Sequence, residues 1–224
     1  MFEKIKTNKT LKEFDQRKEW ENRIKETWAL PDEEFESVIT TSPKHAASIV
    51  NGEPHIPHTP LSETPGVELD RPEWPLPSEI ISNGCFLEDE WANDPTIGYL
   101  AVATSPKHEA VRVVDHLSVG YERSALVITD RRLAVVIESQ LLKSPPANKN
   151  NLGSNIIGKA SRFARQTQET AEKMSDQETE ISFSTLHETD ISKVTNKQYV
   201  LLGKEVPRRS FFVVDFSDGS RLYR

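Results

Sequence analysis

Tyr121–Glu138 reads YERSALVITDRRLAVVIE. Two runs rich in β-branched residues, Ala125–Thr129 and Leu133–Ile137, flank the polar Asp130-Arg131-Arg132. Such runs suit a pleated, buried surface, and the polar triplet between them is turn chemistry, so the stretch predicts a β-hairpin. A second hairpin signal lies at Phe211–Tyr223, FFVVDFSDGSRLY, where Asp218-Gly219 supplies the backbone freedom of a tight turn. The two together predict a small antiparallel β domain. Alternation is imperfect in Phe212–Phe216, as expected of a strand covered on both faces.

Working outward, further strands are predicted near Leu100–Ala103, Ile181–Thr185, Asp190–Asn196 and Tyr199–Leu202. A helix is predicted over Pro106–Val119, with Ala110, Val113, Val114 and Leu117 on one face and Gly120 as its stop. It begins inside a short repeat: Thr41-Ser42-Pro43-Lys44-His45-Ala46-Ala47 recurs as Thr104-Ser105-Pro106-Lys107-His108-Glu109-Ala110. Each copy reads as a strand end followed by a helix start, with Ser as N-cap and Pro at the first helical position.

Three flanking segments complete the organisation. Residues 1–29 predict an amphipathic helix whose stripe holds Phe14, Trp20, Ile24 and Trp28. Two exposed tryptophans are costly, so this stripe is expected to dock, either on its own domain or on a partner. Residues 30–98 form a Pro-rich acidic linker or wrapping segment, since nine of the fourteen prolines lie between Pro31 and Pro77. Within the main domain, 99–224, an insertion at 143–180 predicts a basic amphipathic helix near 155–174, with Lys159, Arg162 and Arg165 on its polar face.

The net charge of −7 argues against a general nucleic-acid binder, which neutralises phosphates with surplus cations. Charge is uneven: Leu30–Ser78 holds 2 basic and 9 acidic residues, Lys143–Met174 holds 6 basic and 2 acidic. The single cysteine, Cys85, excludes an internal disulfide and suits a reducing cytoplasm. Met1–Thr10 is not followed by the apolar core of a signal peptide, and no apolar run approaches the roughly 20 residues of a membrane span.

The order of these elements resembles a bacterial PH-like domain, of the pleckstrin-homology and GRAM type. Thr129, Asp130, Arg132 and Leu133 match the turn that ends an apolar strand in that family. Ile191 and Val194 match a later strand, and Phe211–Leu222 its closing hairpin. The resemblance implies an α+β fold, a small antiparallel β-barrel or sandwich with added helices, and recognition of a protein or a lipid headgroup. Family members usually end in a helix that plugs the barrel, whereas this sequence ends after a strand. Another helix, Pro106–Val119 or the N-terminal one, is therefore expected to cover the opening.

For catalysis, Asp115, His116, Asp130, His187 and Glu188 are candidates to converge, but none sits in a nucleophile or metal spacing. His55 and His58 lie three apart without companion ligands, so no metal and no cofactor is expected. The expected function is a non-enzymatic cytoplasmic module that binds a protein partner through Phe14, Trp20, Ile24 and Trp28. The alternatives are peripheral binding to anionic lipid through Lys159, Arg162 and Arg165, and a small hydrolase.

Overall fold

The computed structural model describes residues 18–143 and 181–224. A helix α1 (18–27) precedes three strands, β1 (Phe35–Thr40), β2 (His45–Val50) and β3 (Glu53–His55). A short helix α2 (Glu79–Ser82) follows, then β4 (Ile97–Ala103), α3 (Glu109–Gly120), β5 (Ser124–Thr129) and β6 (Arg132–Glu138). After the second described segment begins come β7 (Phe183–Asp190), β8 (Val194–Leu202), β9 (Arg209–Phe216) and β10 (Arg221–Tyr223). The architecture is α+β, with one sheet ordered β1-β5-β6-β7 and a second ordered β3-β2-β4-β10-β9-β8. Every pairing is antiparallel except β2 with β4. The sheets do not close into a barrel.

Helix α3 lies between the sheets. Its Ala110, Val111, Val113, Val114 and Leu117 share a core with Leu126, Ile128, Leu133, Val135 and Ile137 of the first sheet and Tyr99, Ala101, Val214 and Leu222 of the second. The outer face of the first sheet is covered by α1: Ile24 and Trp28 pack on Ala125, Val127, Ala134, Val136 and Phe183, with Trp20 at the edge. The outer face of the second sheet is covered by Ile56, Ile81, Trp91 and Ala92. All six residues of β5 are buried for this reason, and the apolar runs of the hairpin are continuous because neighbouring residues serve different cores.

The expected linker is part of the fold: residues 30–98 contribute β1, β2 and β3 before they turn into a wrap. Proline masked this, because the strands are short and sit between Pro31, Pro43 and Pro54. A parallel pair needs a crossover, and the wrap supplies the one between β2 and β4. This strap, residues 56–77, hangs on cross-chain bonds: His58 N–H donates to Ala46 O at 2.7 Å, Glu68 N–H to Leu141 O at 2.8 Å, and Lys143 N–H to Gly66 O at 3.0 Å.

The repeat is not one structural unit. Its first copy turns the chain from β1 in one sheet to β2 in the other, and His45–Val50 is a strand. Its second copy leads into α3, but the cap is distant. Helix α3 begins at Glu109, whose N–H donates to Asp218 Oδ2 at 2.7 Å, and Ala110 N–H donates to Ser220 Oγ at 3.1 Å. The Asp218-Gly219 turn, with Gly219 at φ +82°, therefore joins β9 to β10 and caps α3 across the sequence. Gly120 is helical, and a Cβ there would come within 2.6 Å of the Ser124 side chain; close approach, not a left-handed stop, requires glycine.

Of the two dockings expected for the N-terminal stripe, the one seen for Trp20, Ile24 and Trp28 is on the protein's own sheet. Phe14 and the helix expected at 155–174, with Lys159, Arg162 and Arg165, lie outside the described residues. Trp28→Ala removes a buried ring and should cost about 3–5 kcal/mol in urea unfolding. A loss below about 1 kcal/mol, within the range of surface substitutions, would mean that α1 is not part of the core.

Candidate functional site

The Thr129-Asp130-Arg131-Arg132 turn is an internal lock. Arg132 grips Glu33 with two bonds, Nε to Oε1 at 2.8 Å and Nη2 to Oε2 at 2.9 Å, and reaches Glu188 with Nη1 at 2.7 Å. Its guanidinium lies 4.0 Å from the centre of the Trp28 ring, whose Nε1–H donates to Thr185 Oγ1 at 2.8 Å. Thr129 Oγ1 accepts from the backbone N–H groups of Arg131 and Arg132 and donates to Glu33 Oε1 at 2.8 Å. Burial works against ionisation of Glu33, yet bonds from Arg132, Leu30 N–H and Thr129 outweigh it and hold its pKa down to about 2. The motif thus engages residues 32–34, between α1 and β1, Glu188 of β7 and the turn itself. Asp130 stays away from the other candidate catalytic residues and accepts from Glu34 N–H at 2.9 Å.

Two interior clusters do form. His58, Ser48 and Asp115 make a buried chain: Ser48 Oγ lies 2.8 Å from His58 Nδ1, and His58 Nε2 lies 2.7 Å from Asp115 Oδ1. Asp115 also accepts from Leu61 N–H at 3.0 Å, from Ser62 N–H at 3.1 Å and from Ser62 Oγ–H. Burial opposes the charge on Asp115, and the bonds from His58, Ser62 and Leu61 hold its pKa below the usual carboxylate value. The residue types are those of a hydrolytic triad, and Ser48 and His58 gave no sequence signal as partners because they sit on a strand and in a proline-rich strap. The geometry is structural: the Ser48 hydroxyl is wholly enclosed, and none of the main clefts reaches it. A nucleophile must meet a substrate carbon at about 3 Å, which this hydroxyl does not do. The chain pins the strap to β2 and α3.

The second cluster joins His116 to His187, their rings stacked with centres 4.9 Å apart. His116 Nδ1 lies 2.7 Å from Arg112 O, and His187 Nε2 is 3.7 Å from Glu109 Oε2, which belongs to a carboxylate also held by Lys193 at 2.5 Å. Burial, the neighbouring His116 and Arg112 depress the pKa of His187 to about 4, against a partial offset from Glu109. Burial lowers that of His116 as well.

The exposed candidate is the edge of the second sheet. β8 has β9 on one side and no strand on the other among the described residues. Most of its residues are exposed or half-buried, and Tyr199 and Leu201 are 76% and 62% exposed. They share one face, where Tyr199 stands opposite Phe212 with ring centres 5.3 Å apart. Val200 and Leu202 occupy the other face. Ile191–Lys204 holds Lys193, Lys197 and Lys204 and no acidic residue.

No family model, curated protein or solved structure matches this chain. Among the described residues no helix is long and apolar enough to cross a membrane, and no group of three or more His, Cys, Asp or Glu is placed to hold a metal.

Both histidines of the stacked pair have folded pKa values below the unfolded 6.5, so the unfolded chain takes up protons first as pH falls. Stability should decline from about pH 6.5 down to about pH 4, by at most roughly 3 kcal/mol for His187. His187→Gln should flatten the melting-temperature profile over that window; an unchanged slope would remove His187 as its source.

Proposed function

We propose that this chain is a non-catalytic protein-binding module with a PH-like β domain, and that its partner adds an extended segment to β8. The observation that carries this reading is the open edge. A strand with a free row of N–H and C=O groups and apolar side chains on both faces offers main-chain bonds and side-chain contacts to an incoming strand. Sheet edges are usually blunted by charge, proline or a cover. Here β3, the opposite edge, is three residues long and carries Pro54, whereas β8 runs for nine residues with Tyr199 and Leu201 in solvent. Lys193, Lys197 and Lys204 are already paired with Glu109, Glu36 and Glu88, so recognition would rest on main-chain bonds and alternating apolar side chains.

The PH-like reading draws support from the order of elements: the Thr129–Leu133 turn, the corner at Ile191–Lys193 that carries β7 into β8, and the closing β9–β10 hairpin. Helix α3 packs between the two sheets, which do not close into a barrel with an end to plug. Within this reading the protein is cytoplasmic, and its binding surface moves from the docked Trp20, Ile24 and Trp28 to β8. Membrane attachment would rest on Lys159, Arg162 and Arg165, and a hydrolase would need a nucleophile that substrate can reach.

Selection from a random peptide library on the immobilised full chain tests this. Enriched sequences should alternate apolar residues and shift the backbone resonances of 194–202 in NMR. The double variant Tyr199→Lys, Leu201→Lys alters exposed side chains and should leave stability within about 0.5 kcal/mol. It should weaken peptide binding at least about tenfold, as expected when the anchors of an interface are lost. Enriched peptides that bind the double variant equally well would sink the reading.

A further inference from the structure

Beneath the proline strap lies a partly enclosed cavity of about 130 Å³, where the β1–β2 corner, the last turn of α3 and the strap meet. Its walls include Lys44, His45, Arg71, Trp74, Tyr99 and Tyr121. No aspartate or glutamate lines it, although the chain is acidic and the strap itself carries Glu63, Glu68, Asp70 and Glu73. The acids of the strap point elsewhere and its one arginine is at the cavity.

The cations here lack counter-charges. Neither Lys44 nor Arg71 forms an ion pair or side-chain hydrogen bond among the described residues, although Lys44 is half-buried. Arg224 lies behind Tyr99, its guanidinium 4.9 Å from the ring centre, and reaches Thr40 O with Nη2 at 3.3 Å. It meets the π face of Tyr99 and does not bond squarely to the hydroxyl. Tyr99 Oη and Arg224 Nε are both buried with no partner at full hydrogen-bond geometry, although the Arg224 guanidinium is close enough to act on the hydroxyl. Burial, reinforced by Arg224 and Arg209, pushes the pKa of Lys44 below its ordinary value. Crowded cations and orphaned donors at one place cost free energy that the empty protein does not recover.

We propose that this cavity is a binding site for a compact oxyanion of the phosphate class, held by Lys44 and Arg71, with the Tyr99 hydroxyl as a neutral donor. The volume is close to the roughly 150 Å³ known to admit one benzene-sized molecule, which suits a single phosphate. The aromatic wall is built: the Trp74 ring meets Tyr121 edge-on at 5.7 Å and His45 at 5.5 Å, and His45 Nε2 lies 3.0 Å from Pro75 O. These contacts fix the strap over the cavity, so the anion is a free one in solution and not a headgroup within a bilayer. The site is separate from β8, and the proposal is independent of the strand-addition reading.

The test is calorimetry and thermal unfolding of the full chain with sodium phosphate, at constant ionic strength against chloride. Phosphate should bind with one site per chain and raise the melting temperature with the logarithm of its concentration. Lys44→Gln should abolish that rise while leaving the melting temperature of the phosphate-free protein equal or higher, because it relieves repulsion among Lys44, Arg224 and Arg209. A residue with a merely structural role would lower it. Tyr99→Phe should weaken phosphate binding several-fold and Arg71→Gln at least as much. Chloride acting as well as phosphate, or no response to phosphate up to 10 mM (roughly the concentration at which a site of millimolar Kd is about nine-tenths filled), would overturn the proposal. So would Lys44-dependent binding to vesicles of phosphatidic acid in phosphatidylcholine without binding of free phosphate, which would assign the cations to a membrane surface.

Discussion

A single helix buried between two sheets sets the terms for everything else in this molecule. α3 has apolar side chains toward both sheets, so neither sheet can use it as an outer cover. Each sheet then needs a second cover on its far side, and these are supplied by α1 and by the segment around α2 and Trp91. Nor can α3 satisfy its own ends in water. Its first amides are met by Asp218 and Ser220 from the β9–β10 turn, and Asp115 in its middle must be paired internally. Burial also opposes the charge on Asp218, and the bonds from Ser220 and Glu109 N–H keep its pKa below the ordinary value.

The buried polar groups follow from that constraint. Glu33 with Arg132, Glu138 with Arg123, and Asp115 with His58 each join segments far apart or on different strands. The Arg123–Glu138 pair is bidentate, Nε to Oε1 at 2.7 Å and Nη2 to Oε2 at 2.6 Å. Such pairs add modest net stability when complete, but removing one partner strands a buried carboxylate, so they enforce one arrangement of the segments they join. This explains how a strap rich in proline, which offers few backbone donors, is held in place: Asp115 gathers His58, Leu61 and Ser62 in one step.

Both proposed sites lie where this satisfaction stops. Most polar groups in the interior have partners; among the exceptions, which also include atoms of Asn93, His108, His187 and Thr189, Tyr99 Oη belongs to a cavity-lining residue beside Lys44, with Arg224 Nε behind its ring. On the outside, β8 is the longest of the four edge strands, ahead of β7, β1 and β3, and the one with Tyr199 and Leu201 in solvent. One proposed site lies on a sheet edge, the other between the β1–β2 corner, the end of α3 and the strap.

The sequence by itself determined the elements whose signals are local. The hairpin of β5 and β6, the Asp218-Gly219 turn and the apolar face of α3 were legible because strand period, turn chemistry and helix period act within a dozen residues. The burial of Trp20, Ile24 and Trp28 was legible as a need to dock, without its direction. Only the tertiary structure decided which surface they meet, that residues 35–55 are sheet and not linker, and that Ser105 and Pro106 do not cap α3. The same holds for the meeting of Ser48, His58 and Asp115 and for the unmatched cations around Tyr99. These depend on contacts between residues tens of positions apart, where burial and charge pairing are settled by the packed sheets and leave no periodic mark on the chain.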